Sequence, residues 1–224
     1  MSRLRRDPGP EDLVQAARAS GVTDERLLRV LQATPRSAFV PAAHRASAYA
    51  DAPVPIGHGQ VTTQPSLVAT MVAALGLTGD ECVLEIGSGH GFQTALLARL
   101  AAYVVGVERW ADMAGQARAN LAGQGIGNAE IVVGDGTLGV PGRAPFDAIV
   151  ISAAFPEVPP PLAAQLRAGG RLVQPIGPGG QERVELYEKS EQGLVRRRTV
   201  ALAYFVRLYG AYGYPPTAPF EDAG

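Results

Sequence analysis

Between Cys82 and Leu100 a short apolar run, Cys82-Val83-Leu84-Glu85-Ile86, passes through Gly87-Ser88-Gly89-His90-Gly91 straight into helical spacing that begins at Phe92. A strand that turns at once into a helix needs residues that tolerate positive φ and let a neighbour approach closely, and glycine does both. The next apolar run, Tyr103 to Val107, completes a βαβ unit. Helical spacing from Leu67 to Leu75 precedes this unit, and a helix from about Ala111 to Leu121, a strand at Ile131 to Val133 and a strand at Asp147 to Ile151 follow it. Such alternation predicts an α/β fold, Rossmann-like, with a mostly parallel, doubly wound sheet.

The two ends of the chain read differently. Two short helices open it, with Thr23 as N-cap, Asp24 and Glu25 in the first turn of the second helix, and Leu27, Leu28 and Leu31 on one face. Pro35 ends the second helix, and from Phe39 to Pro65 prolines and glycines interrupt every pattern, which marks a functional loop. Residues 1–65 are therefore expected to be a helical and loop extension packed on a core of residues 66–224, one continuous domain overall. At the far end, Arg171 to Ile176, Val184 to Glu188 and Ala201 to Leu208 read as strands with no helix between the last two, so an antiparallel hairpin closes the sheet. The run Arg196-Arg197-Arg198 is expected to keep that hairpin's surface solvated.

Charge excludes one broad class of partner. Twenty Lys and Arg balance 21 Asp and Glu, so no basic field is available to hold a phosphate backbone, and nucleic acid is not expected. Arg3, Arg5 and Arg6 are followed by Asp7-Pro8-Gly9-Pro10-Glu11-Asp12 where an export signal would need an apolar stretch, and no run of 18 apolar residues occurs. The expectation is a soluble, cytoplasmic monomer with no membrane partner. The single Cys82 can close no intrachain disulfide and reads as a small packing residue. His58 and His90 lie in loops without a patterned set of further ligands, so no metal site is expected.

The glycine-rich turn alone would serve a flavin, a nicotinamide or an adenosylmethionine site. Its context narrows the choice. The strand Val104-Val105-Gly106-Val107 ends in Glu108, at the spacing of a ribose-hydroxyl acceptor. The glycines run Gly-x-Gly-x-Gly, not Gly-x-Gly-x-x-Gly, and Glu85 stands directly before them, where a carboxylate would repel a pyrophosphate but suit a cationic methionine moiety. Gly134-Asp135-Gly136 follows a third strand and could offer a carboxylate to an adenine amino group. All three acidic loops would line the carboxyl edge of the sheet, where open α/β folds bind ligands. Trp110, Phe92 and Met113 are candidates to wall the adenine.

Further motifs make the chain recognisable. Phe39-Val40-Pro41, Ala48-Tyr49-Ala50-Asp51 and Pro53-Val54-Pro55-Ile56-Gly57-His58-Gly59-Gln60 precede Thr62-Thr63-Gln64-Pro65, and Pro145-Phe146-Asp147-Ala148-Ile149, Pro156-Glu157-Val158-Pro159 and Phe205-Val206-Arg207-Leu208 come later. Together with the Glu85–Gly91 turn these resemble the protein-L-isoaspartate O-methyltransferase family along nearly the whole chain. The family often has Thr where Val61 stands, usually Ser where Thr63 stands and commonly Pro where Arg207 stands. The resemblance implies a class I S-adenosyl-L-methionine-dependent methyltransferase fold, with Thr63 catalytic. It assigns the cofactor to Thr62, Gln64, Glu85, Gly87, Ser88, Gly89, Glu108, Asp135 and Gly136.

It also implies the acceptor: the free carboxylate of L-isoaspartyl or D-aspartyl residues in damaged proteins and peptides. A carboxylate is already ionised at neutral pH and needs no strong base, only alignment. Thr63 is thus expected to position and not to attack. Two other readings stand beside this one, a related methyltransferase acting on aspartate in one biosynthetic peptide and a nicotinamide-dependent oxidoreductase. Arg207 and the tail Tyr209-Gly210-Ala211-Tyr212-Gly213-Tyr214 fall on the acceptor side.

Overall fold

The strand and helix signals of the middle of the chain fold into one seven-stranded sheet, in a computed structural model that describes residues 8–178 and 180–215. The opening arginines Arg3, Arg5 and Arg6 lie outside the described residues. Helices α1 (Pro10–Ala19) and α2 (Glu25–Ala33) come first, then a small antiparallel hairpin of β1 (Val54–Gly57) and β2 (Gln60–Thr62), which runs into α3 (Pro65–Leu75). The core continues as β3 (Cys82–Ile86), α4 (Phe92–Ala98), β4 (Tyr103–Glu108), α5 (Ala111–Gly123), β5 (Ala129–Val133), β6 (Phe146–Ile151) and α6 (Pro160–Gln165). Three long strands close it: β7 (Leu166–Ile176), β8 (Gln181–Ser190) and β9 (Gly193–Tyr204).

The strand order is β5-β4-β3-β6-β7-β8-β9, parallel from β5 to β7 and antiparallel from β7 to β9. Chain direction across the sheet reverses at β3, which has β4 on one side and β6 on the other, and that reversal opens a crevice beyond the carboxyl ends of the strands. Side chains alternate across the central strands, so each face of the sheet has its own apolar layer. Val83, Val104 and Val150 point into a layer shared with Leu13, Leu27, Leu28 and Leu31 of the N-terminal helices and Leu96 and Leu97 of α4. Leu84, Ile86, Val105, Ile149 and Ile151 point the other way, against Leu162 and Leu166. Truncating one of these fully buried leucines to Ala would cost about 2–5 kcal/mol. The N-terminal helices thus share the layer that the central strands bury.

Five details differ from the sequence expectations. The N-cap of α2 is Asp24, not Thr23: its carboxylate accepts from the backbone N–H groups of Arg26 at 2.9 Å and Leu27 at 3.2 Å, and a carboxylate also suits the positive end of the helix. The segment from Phe39 to Pro65 is ordered by 3-10 turns at Arg36–Phe39 and Ala42–Ser47 and by the β1–β2 hairpin. The last strand is Gly193–Tyr204, and Phe205 to Leu208 leave the sheet, because Glu182 accepts the Phe205 N–H while Ala154 exchanges two backbone hydrogen bonds with Val206 and Leu208. The arginine run lies inside this strand and is partly paired: Arg196 bonds the buried Glu185 at 2.9 Å and Arg197 bonds Glu188 at 3.1 Å. Cys82 is half-buried at the start of β3, less enclosed than expected for a packing residue.

Candidate active site

The crevice at the sheet reversal holds a cavity. Its floor is the turn from Glu85 to His90, with Val107 to Trp110 at the end of β4 and Ser152 and Ala153 after β6. Gln60, Val61, Thr62 and Thr63 form one wall, Phe92, Gln93 and Met113 another, and Val206 to Tyr209 the rim. Gly87, Gly89 and Gly91 all have positive φ, as the turn demands. A Cβ on Gly136, which also lines the cavity, would come within 2.5 Å of the Ile86 side chain, so only glycine fits there.

Alternation along β3 turns Glu85 towards α4, where it is fully buried. Gln93 Nε2 donates to one of its oxygens at 3.0 Å and the Thr94 hydroxyl donates to the other. Gln93 also reaches the Ser152 hydroxyl at 3.0 Å, which ties β3, α4 and the end of β6 together. Burial pushes the Glu85 carboxyl up to about 7, against the opposing pull of the Thr94 and Gln93 hydrogen bonds. A cation placed against it would favour the ionised form.

Glu108 is buried at the end of β4, and three backbone N–H groups converge on its carboxylate. Oε2 accepts from Gly89 at 2.9 Å, and Oε1 accepts from Arg109 at 2.8 Å and Trp110 at 3.2 Å. Burial still pushes the Glu108 carboxyl above the ordinary carboxylate range, with those hydrogen bonds opposing. Glu108 therefore fixes the glycine turn as well as facing the cavity. The turn's Gly87 and Ser88 N–H groups bond the Val107 carbonyl at 2.8 and 3.2 Å, so the loop is held along its length.

Thr63 is half-buried on the opposite wall, and among the described residues its hydroxyl has no hydrogen-bond partner. Its backbone is gripped by Arg36, a residue with no exposed surface. The Arg36 guanidinium donates to the carbonyl oxygens of Ala48, Ala50 and Ala52 at 3.0 to 3.2 Å, of Thr62 at 3.5 Å and of Thr63 at 3.1 Å. Burial lowers the pKa of its guanidinium to about 10, which leaves it charged at neutral pH. Asp51 holds the other side of the segment, accepting from the Ser66 backbone N–H at 2.8 Å and from Gln64 Nε2 at 2.9 Å. Neither Arg36 nor Asp51 was singled out as functional from the sequence, since each is a common residue type in an irregular stretch. Gln93 and Thr94 in α4 and Ser152 after β6 were missed as well, because their partners lie in other elements of the chain.

Of the sequence candidates, Thr62, Thr63, Glu85, Gly87, Ser88, Gly89, Glu108 and Gly136 all line this cavity, while Gln64 and Asp135 do not. Gln64 is turned to Asp51 and to the Ser66 hydroxyl. The Asp135 carboxylate accepts from the Thr137 N–H at 2.8 Å and hydroxyl at 2.6 Å and from the Ala211 N–H at 2.7 Å, so the C-terminal segment covers it. Phe92, Trp110 and Met113 also line the cavity. His58 stacks on Trp110 at 4.1 Å and bonds both Asp112 oxygens at 2.9 to 3.0 Å, which fastens the tip of the β1–β2 hairpin to α5. Burial holds the His90 imidazole below its usual range.

These residues fit S-adenosyl-L-methionine by their own chemistry. Two buried carboxylates, the apolar side chains of Phe92, Trp110 and Met113, and two buried polar atoms without a partner among the described residues, Ser88 Oγ and Trp110 Nε1, suit a ligand that is cationic at one end and aromatic at the other. Among the described residues no cluster of three His, Cys, Asp or Glu could hold a metal ion, and no helix is long and apolar enough to cross a membrane.

Comparison with known proteins agrees with this chemistry. The sequence model described as protein-L-isoaspartate(D-aspartate) O-methyltransferase matches residues 9–213. The protein-L-isoaspartate O-methyltransferase of Methanoculleus marisnigri is 48% identical over 206 residues, covering 91% of this chain and 93% of its own length. That of Anaeromyxobacter dehalogenans is also 48% identical, over 190 residues, covering 84% of this chain and 91% of its own. A solved protein-L-isoaspartate O-methyltransferase superposes with a TM-score of 0.79 at 29% identity over 91% of this chain and 67% of the other. A Plasmodium falciparum chain solved in complex with S-adenosyl-L-homocysteine has the same fold, with a TM-score of 0.77 at 20% identity over 91% of this chain and 99% of the other.

Proposed function

This chain belongs to the protein-L-isoaspartate(D-aspartate) O-methyltransferase family, and from that premise we propose how its own residues carry the family's reaction. The protein is a repair methyltransferase that moves a methyl group from S-adenosyl-L-methionine to the free carboxylate of L-isoaspartyl residues in damaged proteins. The observation that carries the residue assignments is one cavity in which Thr63 faces the buried carboxylates of Glu85 and Glu108.

Bound S-adenosyl-L-methionine supplies an electrophilic methyl group on a positively charged sulfur. In our reading Glu85, ionised in the presence of that positive end, holds the methionine portion, and Glu108 accepts from the ribose hydroxyls with the lone pairs its three backbone donors leave. The glycine turn with Ser88 lets the ligand lie against the backbone, and Gly136, packed closely on Ile86, lines the far side. Gln64 and Asp135 act one step removed, Gln64 through Asp51 and Asp135 by anchoring the segment at Ala211. Thr63 orients the acceptor carboxylate with its unengaged hydroxyl. The acceptor arrives ionised, so the chain needs no general base, and its work is alignment. The Arg36 and Asp51 network holds Thr63 in place.

The decisive measurement is transfer of a labelled methyl group to an isoaspartyl peptide and to the matched aspartyl peptide, followed by release of methanol from the product. Labelling of the isoaspartyl peptide alone is expected. Equal labelling of both peptides, or of neither, would overturn the reading.

A further inference from the structure

Where the resemblance leads one to expect proline, this chain has Arg207, and the structure builds a support for it. Its backbone neighbours are pinned to the chain after β6: the Ala154 N–H donates to the Val206 carbonyl at 2.7 Å, and the Leu208 N–H donates to the Ala154 carbonyl at 2.8 Å. Its guanidinium lies over the Tyr214 ring at 5.0 Å. That ring is fixed in turn, with its hydroxyl donating to the Pro178 carbonyl at 2.8 Å, its edge against Phe155 at 5.2 Å and its backbone N–H on the Leu208 carbonyl. A guanidinium held over an aromatic ring by cation–π attraction still has N–H donors to offer a further partner.

Arg207 also stands at a boundary. It lines both the cavity that holds Thr63 and a second, outer hollow bounded by His58, Gly59, Gln60, Gly180 and Phe205. Among the described residues no carboxylate lines the outer hollow and Arg207 has no acidic partner. An exposed, preoriented guanidinium at the mouth of a site that receives a peptide is suited to bidentate capture of a carboxylate. That carboxylate is not the reacting one, which must keep a lone pair free to attack the methyl group and would be made a poorer nucleophile by a guanidinium on both its oxygens.

We propose that Arg207 is a specificity-determining residue that binds a carboxylate flanking the isoaspartyl residue, so that this enzyme prefers acceptor peptides with Asp, Glu or a free C-terminus beside the damaged position. The inference rests on the repair-methyltransferase reading above. It belongs to substrate choice and not to the methyl transfer itself.

Three isoaspartyl peptides that differ only in carrying Glu, Gln or Lys next to the isoaspartyl residue test it. With the parent enzyme, kcat/KM is expected to fall in the order Glu, Gln, Lys, with Glu over Gln by roughly 5- to 30-fold at low salt, the lower part of the range of a charge-assisted hydrogen bond because the pair is exposed to solvent. Arg207→Gln should bring the Glu to Gln ratio close to one. Fluorescence anisotropy of the labelled peptides, with S-adenosyl-L-homocysteine present, should show the same order in Kd and the same loss of order in the variant. Equal use of the three peptides by the parent, or a Glu to Gln ratio unchanged in Arg207→Gln, would overturn the proposal while leaving the methyltransferase reading intact. Failure to methylate any isoaspartyl peptide would instead overturn that reading.

Discussion

The guanidinium of Arg36 donates a hydrogen bond to the backbone carbonyl oxygen of Thr63 at 3.1 Å, and with it carries the position of the cavity wall on which the Thr63 hydroxyl stands. The same group bonds carbonyls at Ala48, Ala50, Ala52 and Thr62, so one buried cation joins two loop segments that have little regular structure of their own. Removing it would leave those acceptors without a donor in a closed space. We expect Arg36→Met to lower stability by about 3–5 kcal/mol, as for the loss of one partner in a buried charged network. Arg36→Lys, with a compact head in place of the fork, should fold but lose methyl transfer more than it loses cofactor affinity. Chemical denaturation and calorimetry on the two variants check this, and an Arg36→Lys enzyme with normal kcat would show that the clamp does not set Thr63.

A second expectation concerns Glu108. Glu108→Ala removes the proposed ribose acceptor together with the anchor of the Gly89, Arg109 and Trp110 N–H groups. S-adenosyl-L-methionine affinity should fall by about 1–3 kcal/mol, and thermal stability should fall as well. Glu108→Gln keeps an acceptor oxygen and should lose less of both. Calorimetric titration gives the answer, and an unchanged cofactor Kd in the Ala variant would confine Glu108 to holding the loop.

The middle of the chain was legible because two periods and a few special residues decide it. Val83, Leu84 and Ile86 alternate at the strand period, glycines follow at once, and every strand from Cys82 to Ile151 was found within two residues of its end. The ligand edge of the sheet follows from that topology, which is why Glu85 and Glu108 could be picked out by spacing. Residues that act across long sequence separations were not legible. Arg36 reaches Thr63 across 27 positions and Ala211 reaches Asp135 across 76, and neither contact leaves a local pattern. The end of β9 was misplaced because Phe205 to Leu208 keeps the apolar composition of a strand while its backbone bonds go to Glu182 and Ala154.

Glu85 predicts a pH dependence of known sign. Its folded-state carboxyl is raised to about 7 by burial, above the ordinary value of 4.5, so the folded protein binds this proton more tightly than the unfolded chain. Stability from this group is then full below about pH 4.5 and is lost as pH rises to about 7. Glu85→Gln should remove that part of the loss, so its stability relative to the parent should improve between pH 5 and about 8. A cationic ligand favours the ionised carboxylate, so S-adenosyl-L-methionine affinity in the parent should rise over the same interval, with proton release on binding near pH 6. Titrations in buffers of different ionisation enthalpy measure that release. A cofactor affinity independent of pH would separate Glu85 from the cofactor.

The last expectation concerns Thr63, where the family's usual serine is replaced by a β-branched residue whose side chain has fewer rotamers open to it. Its hydroxyl has no partner among the described residues, and Thr63 lines the cavity on a backbone that Arg36 holds. The hydroxyl and the methyl group can be tested apart. Thr63→Val keeps the shape and removes the donor, and if that donor orients the acceptor carboxylate, kcat should fall by roughly 10- to 1000-fold, the range for one positioned hydrogen bond. Thr63→Ser keeps the donor and should stay near the parent. Both variants should bind S-adenosyl-L-methionine within about threefold of the parent, because the glycine turn and the two buried carboxylates make the larger part of that site. Methyl transfer to an isoaspartyl peptide, measured at saturating cofactor for the three proteins, separates the roles. A Val variant as fast as the parent would make Thr63 a packing residue at the entrance to α3, and the alignment of the acceptor would then have to come from the backbone around it.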